Sequence, residues 1–212
     1  MLQDLIDRYG YEILQRTGEH LILVSIATLI AMLMGIPLGI LITRNAILRR
    51  PVLGLANIMQ TIPSLALFGL LIPVPLIGGI GAKTAILALI LYSLLPIIRN
   101  TYAGISSVDP AVREAGQAMG MTDWQLLMKV EIPLAMFAIA AGVRVAAVTA
   151  VGIATIAAAI GAGGLGNFIF SGLSMVDNRL ILLGAIPAAL IALALDWSLG
   201  CLERYFRPTR EF

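Results

Sequence analysis

Five long apolar runs decide what this chain can become. Residues 21–43, 52–74, 84–98, 132–160 and 180–202 are each near or above the ~20 residues that carry a helix across ~30 Å of hydrocarbon. The third run continues past Arg99 toward Ser106. Composition agrees: 59% of the 212 residues are hydrophobic and 12% charged, well above the roughly half-apolar make-up of soluble domains, and mean hydropathy is +0.97. The expected fold is all-α and integral to a membrane, with about five transmembrane helices. Small residues dominate 138–166, which predicts close helix packing there.

Basic residues favour the cytoplasmic side of short loops. An N-terminus outside places Arg44, Arg49, Arg50, Arg99, Arg113, Lys129, Arg204, Arg207 and Arg210 inside or at the inner boundary. It leaves Arg8, Arg16, Lys83 and Arg179 outside, and Arg144 within the fourth span. The first apolar run is too long for a signal peptide, follows a mixed-charge segment and lacks a cleavage pattern, so it stays in the mature protein. The single cysteine, Cys201, excludes an internal disulfide and a Cys-rich metal site. A net charge of +2 argues against a nucleic-acid partner.

One polar stretch, REAGQAMGMTDWQLLMKVEIPLA at 113–135, interrupts the hydrocarbon on the inner side. Asp109-Pro110 starts a helix, because Asp accepts from first-turn amides and Pro at the first position loses no hydrogen bond. That helix runs to about Met119, and Gly120 supplies the left-handed residue that ends it. Thr122 and Gln125 form a Thr-x-x-Gln capping box that restarts a helix at Asp123, with Trp124, Leu127 and Met128 on one face. Pro133 marks the turn into the fourth span. This local pattern fits an amphipathic connector at the interface or a docking element. The outline of a DNA-binding helix-turn-helix is present, but basic charge is scarce and both ends are tied to the bilayer.

Glu114-Ala115-Gly116, three residues, Gly120, nine residues, then Val130-Glu131-Ile132-Pro133 resembles the EAA loop of ABC-importer permeases. Gly116 stands where that pattern has Ala, which loosens the first helix by ~1 kcal/mol. QTIPSLALFG at 60–69, LYSLLPIIRNTYAGISSVDPAVREAGQAMGMT at 91–122 and GLGNFIFSGL at 164–173 are similar to type I ABC permeases for glycine betaine, choline and carnitine. The resemblance spans about residues 17–203 and includes QTIPS, which points away from the methionine-importer permeases that share the five-span plan.

The resemblance implies a type I ABC permease fold, with 1–16 outside, a membrane domain over 17–203, a coupling loop at about 109–131 and a cytoplasmic tail at 204–212. It implies that Glu114, Ala115, Gly116, Gly120, Trp124 and Pro133 couple the permease to two separate ATPase subunits. It further implies a second permease copy or homologue, an extracytoplasmic solute-binding protein and a prokaryotic plasma or inner membrane. ATP and magnesium belong to the partner, so this chain carries no cofactor and no catalytic residue. The competing readings are a methionine-type permease, a secondary transporter or a membrane enzyme.

No nucleotide site is legible. GGIGAKT at 78–84 lacks the Gly-Lys-Ser/Thr ending of a phosphate loop, and Gly161, Gly163 and Gly166 follow a membrane helix rather than a strand. Both read as turns. His20 has no ligand or triad partners and reads as interfacial. No HExxH or GxSxG is present, which leaves Ser64 or Ser93 as the only start for a hydrolase.

Asn57, Gln60, Thr61 and Ser64 recur at three- and four-residue spacings in the second span, which Pro63 should kink. They hydrogen-bond between helices or line the passage. Arg144 and Asp196 fall inside the fourth and fifth spans, where an unpaired charge is costly. They read as an ion pair, or Arg144 as a cavity-facing group on the passage. The segment 161–178 reads as flexible at its start, with Phe168 and Phe170 as an aromatic anchor, a lid or a surface for the binding protein.

Overall fold

The structure, a computed structural model, describes residues 2–75 and 77–206. Arg207 and Arg210 of the expected tail lie outside the described residues. Among those described every regular element is helical: α1 Leu2–Arg44, α2 Ala46–Thr61, α3 Ser64–Leu71, α4 Ala82–Ser106, α5 Pro110–Ala118, α6 Asp123–Leu126, α7 Ile132–Ile156, α8 Gly166–Met175 and α9 Asn178–Tyr205. A π turn at Leu127–Glu131 joins α6 to α7, and a 3-10 turn at Ala157–Ile160 follows α7.

Among the described residues four helical stretches are long and apolar enough to cross a membrane: Tyr9–Arg44, Ala82–Ser106, Asp123–Ile160 and Asn178–Tyr205. The α2–α3 pair, bent by 103°, makes a fifth crossing if it is one span. α1 has 43 residues and extends about 64 Å at ~1.5 Å per residue, twice the hydrocarbon thickness. Residues 2–16, within the segment expected outside, are helical and run on into the first span.

α4 is the centre of the bundle. It packs along α1 on one side and α7 on the other, and α9 leans on α7 and α8. Small residues set these distances. A Cβ added at Gly39 of α1 would lie 2.6 Å from the Thr101 Cβ, and one at Gly142 of α7 would lie 2.8 Å from the Pro96 carbonyl oxygen. The buried alanines 27, 31, 85, 88, 146 and 150 continue that seam, as membrane helices gain packing by bringing backbones close.

Two expectations need correction. The second span does not merely kink at Pro63: it stops at Thr61 and restarts at Ser64. Pro63 donates no hydrogen bond and pushes Ile62 to extended backbone, ψ 128°. Ser64 consequently opens a new helix and shares no face with Asn57, Gln60 and Thr61. The chain also does not turn at Pro133, since α6, the π turn and α7 form one continuous stretch. The wide turn absorbs the proline: the Ile132 amide reaches back to the Leu127 carbonyl, which opens room for the pyrrolidine ring.

Candidate functional site

The loop at 109–131 is built as its residues dictate. Asp109 Oδ1 accepts from the Ala111 amide at 2.9 Å and Pro110 opens α5. Gly120, at φ 81°, closes it, with the Met121 amide donating to the Gly116 carbonyl at 3.1 Å. Thr122 and Gln125 make the reciprocal capping box at 3.0 and 3.3 Å. Gly116 is buried, and the space a methyl would take is held by Leu126 Cδ1, 2.7 Å from the added Cβ. Glycine at 116 thus seats α5 on α6.

The opposite face of this helix pair is open. Glu114, Ala115 and Gln117 are exposed on α5, and Trp124 keeps 66% of its surface accessible. Pro133 is also exposed, more than two turns further on. Beside Trp124 an open groove of about 830 Å³ runs between the loop and the end of α1, lined by Pro37, Ile40, Leu41, Arg44, Leu127 and Met128. An exposed indole, small residues and an exposed glutamate make a surface suited to a protein partner.

Beneath that face lies a constellation that spacing did not reveal. Glu131, the last residue of the π turn, is 0% exposed. Its Oε2 accepts from Arg44 Nη2 at the end of α1, and its Oε1 is 3.0 Å from Arg113 Nε of α5. Arg113 Nη2 also donates to the Ile105 carbonyl, in the last turn of α4, at 2.5 Å. A carboxylate just before an apolar run was the signal available, since an ionisable group there needs a partner.

Arg144 is committed to carboxylates. Its Nε and Nη2 donate to the two oxygens of Asp196 at 2.7 and 2.9 Å, and its Nη1 donates to Glu203 at 3.0 Å. The expected partner is found, and Glu203, two turns further along α9, is added. All three line a cavity of about 370 Å³ with Thr149, so the guanidinium is both paired and cavity-facing. Gly200 lets the planar group lie against α9, a Cβ there falling 3.2 Å from Cζ.

The polar residues of the bent pair are split. Asn57 and Ser64 are half-buried, Gln60 and Thr61 exposed, and Thr61 donates to the Ile58 carbonyl at 2.8 Å. Tyr92 of α4, itself buried, donates its hydroxyl to the Ile62 carbonyl at the break.

At the far end of the bundle His20 is fully buried rather than interfacial, beneath the turn at Gly163 and Gly164. Those glycines adopt φ 83° and 79°. Glu19 fixes them, accepting from the Gly164 amide at 2.9 Å and from Arg16 at 3.1 Å. These contacts clasp the start of 161–178 to α1.

A family model described as "Binding-protein-dependent transport system inner membrane component" matches residues 35–210. The chain is similar to the osmoprotectant import permease protein OsmW of Salmonella typhimurium, 48% identical over 206 residues that cover 96% of this chain and 95% of the relative. Its identity to the glycine betaine/carnitine/choline transport system permease protein OpuCD of Bacillus subtilis is 48% over 203 residues, covering 95% and 87%. To the carnitine transport permease protein OpuCB of Listeria monocytogenes it is 44% over 199 residues, covering 94% and 90%. Among solved structures, a chain of the inward-facing MetNI methionine ABC transporter superposes with a TM-score of 0.82 at 25% identity, over 92% of this chain and 96% of that one. An amino acid ABC transporter crystallised with histidines superposes at 0.78 and 20% identity, over 94% and 96%, a likeness of fold alone.

Proposed function

The chain belongs to the binding-protein-dependent transport system inner membrane components, and from that premise we propose that it imports quaternary-ammonium osmoprotectants of the glycine betaine, choline and carnitine class. It is the permease subunit of an ABC importer, a transport component with the type I permease fold. The observation that carries the substrate class is near full-length identity of 41–48% to relatives named as permeases for osmoprotectants, for carnitine, for choline or for glycine betaine, carnitine and choline together.

The division of labour is our reading. Two separate ATPase subunits bind ATP and magnesium, and the face of Glu114, Ala115, Gly120 and Trp124 docks on them at the cytoplasmic surface. Gly116 seats the two docking helices on each other, and Pro133 follows the wide turn that feeds their motion into α7. The N-terminus lies outside and the C-terminus inside, as the arginine distribution favours. An extracytoplasmic binding protein delivers solute to the end that carries α8, and a second permease, identical or homologous, completes the pathway. Asn57, Gln60, Thr61, Ser64 and Arg144 contribute to that pathway's lining. Closure of the ATPases moves the coupling loops and turns the permease outward; hydrolysis resets it.

Reconstitution in liposomes with the ATPase and binding protein tests this. Glycine betaine, choline or carnitine should stimulate ATP hydrolysis and accumulate inside. Stimulation by methionine and by none of the three would transfer the chain to the amino-acid branch.

A further inference from the structure

We propose that Glu131 is the positioning residue through which movement of the docking loop enters the membrane bundle. The inference rests on the reading of 109–131 as the ATPase-coupling loop and names the joint behind it. Three elements meet on this one carboxylate: Arg44 from the end of α1, Arg113 from α5, and the π turn that carries Glu131 into α7. Arg113 extends the joint to a fourth element through the Ile105 carbonyl of α4.

Burial makes the joint stiff. Glu131 has no exposed surface, and removing one partner from a buried carboxylate is far costlier than breaking an ion pair in water. The loop therefore cannot leave α1 and α4 behind at low cost. Ile105, whose carbonyl anchors Arg113, and Leu127, at the start of the π turn, share one apolar cluster with Ile36, Ile40 and Ile132, so packing joins the same elements that the carboxylate ties. The π turn is part of the device. At i, i+4 and i+7, Trp124, Met128 and Glu131 would share one stripe of an α-helix. Trp124 and Met128 are exposed while Glu131 is buried, and the wide turn takes Glu131 off that stripe. The docking face and the joint thus lie on different sides of one continuous helix. A push on Trp124 is delivered to the arginines behind it.

Glu131→Gln keeps the size of the side chain and loses its charge. Reconstituted with the ATPase and binding protein, it should assemble and retain basal hydrolysis, with solute taken up per ATP hydrolysed about tenfold lower. Arg44→Gln combined with Glu131→Gln should add little to either change alone, because the two share one interaction. An unchanged ratio of uptake to hydrolysis, whether or not thermal stability falls, makes Glu131 structural and overturns the proposal. Should Glu131→Gln fail to fold, Arg113→Lys decides. It keeps the charge but cannot reach both Glu131 and the Ile105 carbonyl, so an unchanged ratio again overturns the joint. Glu114→Arg separates the two levels. If it leaves ATPase assembly and coupled uptake intact, the docking reading fails and the joint with it. If it abolishes assembly while Glu131→Gln transports normally, docking stands and only the joint is lost.

Discussion

Arg144 shows how a charge survives within a membrane span. Its donors are spread over two carboxylates of α9, so the group carries one negative charge in excess. Reversing both members of the Arg144–Asp196 pair should therefore not restore the protein, because a carboxylate at 144 still faces Glu203. Thermal unfolding in detergent is expected to place the double reversal below Asp196→Asn; equal midpoints would mean that Glu203 contributes nothing. Glycine is the other residue with a defined task. Gly39→Ala must push α1 off Thr101 of α4 and should destabilise by ~1–3 kcal/mol. Gly152→Ala, with nothing within 4 Å, should change stability by no more than ~1 kcal/mol and in the favourable direction. Thermal shift on the two variants checks the contrast.

At the scale of elements, the α2–α3 break depends on one hydroxyl. Extended backbone at Ile62 leaves its carbonyl outside both helices and Tyr92 donates to it, so Tyr92→Phe should leave the bend without its tether. Faster amide exchange confined to residues near 58–66, with the rest of the bundle unchanged, is the expected result. Asn57→Leu and Gln60→Leu address the lining. If these residues face solute, uptake should fall more than basal hydrolysis, and equal loss of both would assign them to packing.

The same contrast explains what was legible in the residues. The loop's shape was readable because Asp109, Gly120, Thr122 and Gln125 act within four positions of themselves. The spans were readable from apolar length. Glu131 with Arg44 and Arg113, Glu203 with Arg144, and Glu19 with Gly164 were not, because each pairing exists only once helices have packed. Pro63 announced a disturbance, but whether a proline kinks or ends a helix depends on a neighbour such as Tyr92 offering the carbonyl at the break a partner.

Across the whole molecule, α1 is tied to the α6–α8 segment at two points. Glu19 holds the Gly164 amide and Arg44 holds Glu131, about 37 Å apart along the helix at ~1.5 Å per residue. Spin labels on α1 and α7 set close to the line through the two ties, placed in a Cys201→Ser background, should keep a constant separation through the ATP cycle, while labels on α1 and α3 should not. A variable distance between those near-axis labels would show that one tie opens during transport. Two fixed points leave a rigid body one freedom, rotation about the line that joins them. The motion of α1 against α7 then reduces to a single angle, and one pair of labels set well off that axis is enough to follow it.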